Sequence, residues 1–123
     1  MFYRSKHMNR QTAMQRYAGR VVLSEDDLVG AFKALGHPTR LAILGWLKDP
    51  ASFPPQDQPA EVVGVCLKHI QARAQVSQST ASQFMAVLHR AHLVSCTRVG
   101  QWSHYRRNEE IIAALSESLS VYV

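Results

Sequence analysis

Val76-Ser77-Gln78-Ser79-Thr80-Ala81-Ser82-Gln83-Phe84-Met85-Ala86-Val87-Leu88-His89-Arg90 decides how this 123-residue chain is read. Ala81, Phe84, Met85 and Leu88 recur at helical spacing, so one stripe of the segment is apolar and faces a core. Val76-Ser77 reads as a turn, with Ser77 placed to cap the helix that follows. Gln78, Ser79, Ser82 and Gln83 are left on the outward face near the helix start, with Thr80 beside them. Amide and hydroxyl side chains in that position can donate to and accept from base edges, while the backbone amides approach a phosphate.

Downstream, Leu93 to Val99 and Trp102 to Arg107 read as two strands joined at Gly100-Gln101. Arg98, Gln101, Arg106 and Arg107 spread over this hairpin, where phosphate or minor-groove contact costs little. Trp102 and Tyr105 read as hairpin core. Upstream, Leu67 to Ala74 reads as a short helix with Leu67, Ile70 and Ala74 inward, and Val62 to Cys66 as a short strand or irregular entry. Two helices across a tight turn, followed by a basic hairpin, predict a mainly α fold with a β-hairpin wing: a winged helix-turn-helix of about five helices.

The flanks fit one domain over residues 24–123. Ser24 caps a helix whose first turn holds Glu25, Asp26 and Asp27, with Leu28, Ala31, Phe32 and Leu35 at helical spacing and Gly36 as its C′ residue. Pro38 opens a second helix through Leu41, Ile43, Leu44, Trp46 and Leu47. Pro50, Pro54, Pro55 and Pro59 make Asp49 to Pro59 a loop. Asn108 caps a last helix carrying Ile111, Ile112, Leu115 and Leu119. Residues 1–23 read as a basic flexible arm, partly helical around Met14 to Tyr17.

Charge is unevenly placed. The net charge of +5 comes from the arm, whose Arg4, Lys6, Arg10, Arg16 and Arg20 have no acid among them, while the rest of the chain is formally neutral. Within that neutral remainder, residues 62–108 hold Lys68, Arg73, Arg90, Arg98, Arg106 and Arg107 and no Asp or Glu. One sign of charge around a candidate groove helix suits a face that meets phosphates. Arg73, Arg90, Arg98 and Arg106 are the phosphate candidates.

Other function classes have less to stand on. No apolar run approaches the ~20 residues of a membrane span, and the basic N-terminus lacks a signal core, so no membrane is expected and the cytoplasm is the expected location. There is no Gly-rich phosphate loop, no carboxylate pair in an apolar setting and no nucleophile with a base and an orienting acid, so an enzyme is not expected. Cys66 and Cys96 are candidates for a thiol switch, with inert buried cysteine as the alternative. Cys66 with His69, and His89 with His92, could each give two metal ligands where three or four are usual, so no metal and no cofactor is assigned.

These segments together resemble the ArsR family of dimeric winged-helix repressors. The matching residues are Phe32-Lys33-Ala34-Leu35-Gly36-His37-Pro38-Thr39-Arg40-Leu41-Ala42-Ile43-Leu44, then Val65-Cys66-Leu67, Ser77-Gln78-Ser79-Thr80-Ala81-Ser82-Gln83, Leu93-Val94 and Gly100-Gln101-Trp102-Ser103-His104-Tyr105-Arg106. The resemblance implies a homodimer joined through its first and last helices, with Leu28, Phe32, Ile111, Ile112, Leu115 and Leu119 at the interface. It also implies a near-palindromic operator in double-stranded DNA, read by the helix over 78–91 and the wing over 94–107. The chain departs from the metal sensors of that family: Leu67 and Lys68 follow Cys66 where they have a Cys-x-Cys pair, the last helix has no His or Cys, and His92 stands where a glycine is usual. A repressor is therefore expected, its inducer unassigned. The alternatives are a thiol- or metal-responsive repressor using Cys66 and Cys96 or the nearby histidines, and a winged helix used as a protein-interaction module.

Overall fold

The computed structural model describes residues 14–17 and 20–123. Strands β1 (Met14–Tyr17) and β2 (Arg20–Leu23) precede helices α1 (Glu25–Leu35) and α2 (Pro38–Trp46). A one-turn helix α3 (Ala60–Val63), a two-residue strand β3 (Val65–Cys66) and helices α4 (Leu67–Ala74) and α5 (Gln78–Arg90) follow. Strands β4 (Val94–Val99) and β5 (Trp102–Arg107) and helix α6 (Glu109–Tyr122) complete the order. Among the described residues six α-helices and a wing make the expected winged helix-turn-helix, with α3 as the extra helix.

Most helices start where a side chain can take an orphan amide. The Ser24 hydroxyl accepts from Asp27 N–H at 3.2 Å, Ser77 from Thr80 N–H at 3.1 Å, and the Asn108 carboxamide from Ile111 N–H at 3.4 Å. Their apolar faces meet in one core in which Ile43, Val65, Ile70, Met85, Leu88 and Leu93 are fully buried. Leu41, read as part of that core, is exposed on α2.

The wing sheet runs β3-β5-β4, antiparallel throughout, with Val65 and Cys96 both opposite Tyr105. Gly64 enters β3 at φ 101°, and a Cβ there would lie 2.5 Å from the Tyr105 carbonyl carbon, so only glycine fits. The open edge of β3 is closed by a side chain instead of a strand. Gln56 Nε2 donates to the Gly64 carbonyl at 2.8 Å, and its Oε1 accepts from Cys66 N–H at 3.0 Å, as a peptide unit would.

Several local expectations change. Met14–Tyr17 is a strand rather than helical, because it pairs antiparallel with Arg20–Leu23. Leu23 is then tied to α6: its N–H donates to Ser118 Oγ at 2.8 Å, and its carbonyl accepts from Tyr122 Oη at 3.3 Å. β2 is thereby packed on α6, and the arm over residues 1–13 lies outside the described residues. Gly36 ends α1 at φ −80°, without a left-handed turn; among the described residues the left-handed non-glycine positions are Gln75 (φ 57°) and His92 (φ 65°). Trp102 is 38% exposed because it pairs with Val99 near the wing tip, beyond the core, where Lys68 Nζ lies 5.6 Å from its ring centroid. Tyr105, deeper in the same strand, is buried as expected.

Candidate nucleic-acid interface

The turn between α4 and α5 is built from backbone geometry. Gln75 takes a left-handed conformation (φ 57°, ψ 48°), and its N–H donates to the Gln71 carbonyl at 2.9 Å, which ends α4. Ser77 returns to extended backbone and caps α5. The helix then turns Ala81, Met85 and Leu88 wholly inward, which holds it against α4. Gln78, Ser79, Ser82 and Gln83 are all exposed on the other side. Thr80 differs from them: it is half-buried, and its hydroxyl lies 3.0 Å from Ser77 Oγ, so it braces the cap.

The wing projects its own polar groups. Gly100 (φ 62°) and the exposed Gln101 form its two-residue turn, and Arg98 is exposed beside them. Arg90, in the last turn of α5, is also exposed. Arg98 Nε donates to the Gly100 carbonyl at 3.5 Å within the turn, and the other two cations read as phosphate contacts have ties beyond the wing tip. Arg106, at the far end of β5 from the tip, donates to the Val62 carbonyl at 2.7 Å. Arg73 lies 4.7 Å from the Trp46 ring centroid and 4.9 Å from that of Phe53, and donates to Ser52 Oγ at 3.0 Å. It pins the proline-rich loop to α4. Arg107 donates to Glu109 at 2.8 Å, and that hydrogen bond, more than the charge itself, holds the Glu109 carboxyl below the usual carboxylate range.

The cysteines do not meet. Cys66 is buried opposite His104 and Cys96 is exposed opposite Tyr105, and both are free thiols. With β5 between their strands, they stand roughly two strand spacings apart, about 9–10 Å, against the ~7 Å limit for a disulfide. Burial, and then Cys96, push the Tyr105 hydroxyl up from its ordinary value. Among the described residues no three His, Cys, Asp or Glu side chains gather as a metal site. Burial, and then Lys68, push the His69 ring down.

The residues read as a dimer interface divide into two sets. Leu28, Ile111 and Leu115 are buried in the protomer's own core, and Ile112 packs against it. Phe32 and Leu119 are each 42% exposed. Val29 and Tyr122, missed in the sequence, are exposed as well, one turn from Phe32 on α1 and from Leu119 on α6, two helices that touch each other.

No family model matches the chain. It is 38% identical over 97 residues to YbzH of Bacillus subtilis (strain 168), an uncharacterized HTH-type transcriptional regulator, across 77% of this chain and 97% of that one. The chain belongs to the HTH-type transcriptional regulators. Among solved structures, the ArsR family transcriptional regulator RHA00566 superposes with a TM-score of 0.64 at 17% identity, covering 81% of this chain and 90% of that one. The homodimeric winged helix-turn-helix DNA-binding domain of Mb0332 from Mycobacterium bovis gives 0.55 at 23% identity, over 78% of each chain. This HTH-type regulator thus has the fold that its resemblance to the ArsR family implies. Among its described residues no helix is long and apolar enough to cross a membrane.

Proposed function

We propose that the chain is a homodimeric, ArsR-type repressor that reads a near-palindromic operator in the cytoplasm and carries out no catalysis. One observation carries the reading: α5 exposes Gln78, Ser79, Ser82 and Gln83 from a helix whose opposite side is wholly buried, within a stretch free of acids. Such a helix is held rigidly enough to present base-reading groups, and nothing around it repels phosphate. Arg90 and Arg98 supply backbone contacts on either side, with Gln101 at the wing tip. Arg73 and Arg106 face solvent and can add to the field, although their side chains are also structural.

The homodimer rests on the exposed face of Val29, Phe32, Leu119 and Tyr122. Large apolar side chains gathered on two touching helices mark an association surface. Two copies joined there give the twofold symmetry that an inverted repeat mirrors.

The test is affinity for the DNA upstream of the chain's own gene against random duplex of equal length, with sedimentation on the same samples. Strong preference for the upstream fragment by a dimer is expected of an autoregulating repressor. Equal, strongly salt-dependent binding to both would replace it with an architectural role.

A further inference from the structure

Phe84 follows Gln83 on α5 and stands between the exposed face and the buried stripe. Its ring meets the imidazole of His37 with centroids 4.8 Å apart and planes tilted by 52°. The Arg40 guanidinium lies 5.9 Å from the same ring centroid. Both partners come from the α1–α2 corner, which is fixed by its own hydrogen bonds. His37 Nδ1 accepts from Thr39 N–H at 3.1 Å and caps α2. Arg40 Nε donates to the Ala34 carbonyl at 2.7 Å, and its Nη2 to the Lys33 carbonyl at 3.2 Å, satisfying the end of α1.

We infer that His37 and Arg40 are positioning residues for DNA reading: gripping the Phe84 ring, they set the roll of α5 and hence the aim of Gln83 and Ser79. The buried stripe alone fixes which side of α5 faces inward. An imidazole and a guanidinium against one ring restrict the remaining rotation, because both contacts depend on where that ring lies. A small roll displaces a base-reading side chain enough to break its hydrogen bonds, whose geometry is narrow. Since α1 also carries Val29 and Phe32, the same corner ties the reading helix to the proposed dimer face.

This inference rests on the DNA-reading proposal, and the test separates the two. His37→Asn keeps a side-chain acceptor for the Thr39 amide but removes the ring. Phe84→Leu keeps an apolar side chain but removes the aromatic face. The wild-type protein first enriches a duplex from a random pool; each variant is then titrated with that duplex and with a shuffled one. The expected result is a loss of about tenfold on the enriched duplex, the worth of one good base contact, with little change on the shuffled duplex and an unchanged salt slope. In DNA-free protein, the amide resonances of Gln78 to Gln83 shift. Unchanged preference with unshifted amides, in variants that are merely less stable, would overturn the inference. If the wild type enriches no sequence, the DNA reading fails by itself, and the amide shifts still decide whether the corner controls α5.

Discussion

Arg73 stacks its guanidinium over Trp46, 4.7 Å from the ring centroid, from a position twenty-seven residues further along the chain. With Phe53 on the same cation and Ser52 accepting its hydrogen bond, α2, the proline-rich loop and α4 are held by one side chain. Arg73→Ala should destabilise the protein by about 1–2 kcal/mol through lost stacking and stem packing, with Arg73→Lys intermediate. Equilibrium unfolding in urea measures this. An unchanged midpoint in Arg73→Ala would leave Arg73 with only a phosphate to contact.

Gln75 and His92 hold left-handed backbone, where an L side chain costs roughly 1–2 kcal/mol and glycine nothing beyond its greater unfolded-state entropy. Gln75→Gly and His92→Gly should each stabilise by about 0.5–1 kcal/mol. Gly100→Ala, at φ 62°, should do the opposite. Thermal unfolding of the three variants checks the sign, and a lower Tm in His92→Gly would contradict it.

His69 gives the stability a pH dependence. Burial keeps its imidazole neutral to a lower pH than the ordinary 6.5, so the unfolded chain takes up the proton first as pH falls. The stability due to neutral His69 is complete above that value and is lost as pH drops below it, down to the depressed value of the folded state. His69→Gln should lose less stability than the wild type between about pH 7.5 and pH 5. Parallel losses in urea titrations at the two pH values would remove His69 as the cause.

Base-reading and phosphate-contacting residues should separate under salt. Ser79→Ala or Gln83→Ala is expected to cost ~1–3 kcal/mol on the preferred duplex and to relax sequence preference. Arg98→Ala should weaken all duplexes alike and lower the salt slope by about one. Binding isotherms over a range of ionic strength on preferred and random DNA tell the two apart. Equal loss on both duplexes for Gln83→Ala would take that residue out of base reading.

What could be read in the sequence was local. The α5 stripe of Ala81, Met85 and Leu88, the Ser24, Ser77 and Asn108 caps, and the turn at Gly100 each depend on residues a few positions apart. What could not be read depends on partners far along the chain. The Phe84 ring closes on His37 across most of the helical core, and Gln56 imitates a strand only because Gly64 and Cys66 happen to expose that edge. Met14–Tyr17 is a strand because it pairs with β2, which itself packs on α6. Helical spacing marked Leu28, Ile111, Leu115, Phe32 and Leu119 alike as apolar; only packing shows that the first three belong to the protomer's core.

The most direct measurement is selection of duplexes by the wild-type protein from a random pool, followed by inspection of the enriched motif. Two reading helices related by a dimer axis predict an inverted repeat with half-site centres about one helical turn, 10–10.5 base pairs, or a multiple of it apart. Enrichment of an asymmetric motif would contradict the dimer, and no enrichment at all would contradict the reading of α5 itself.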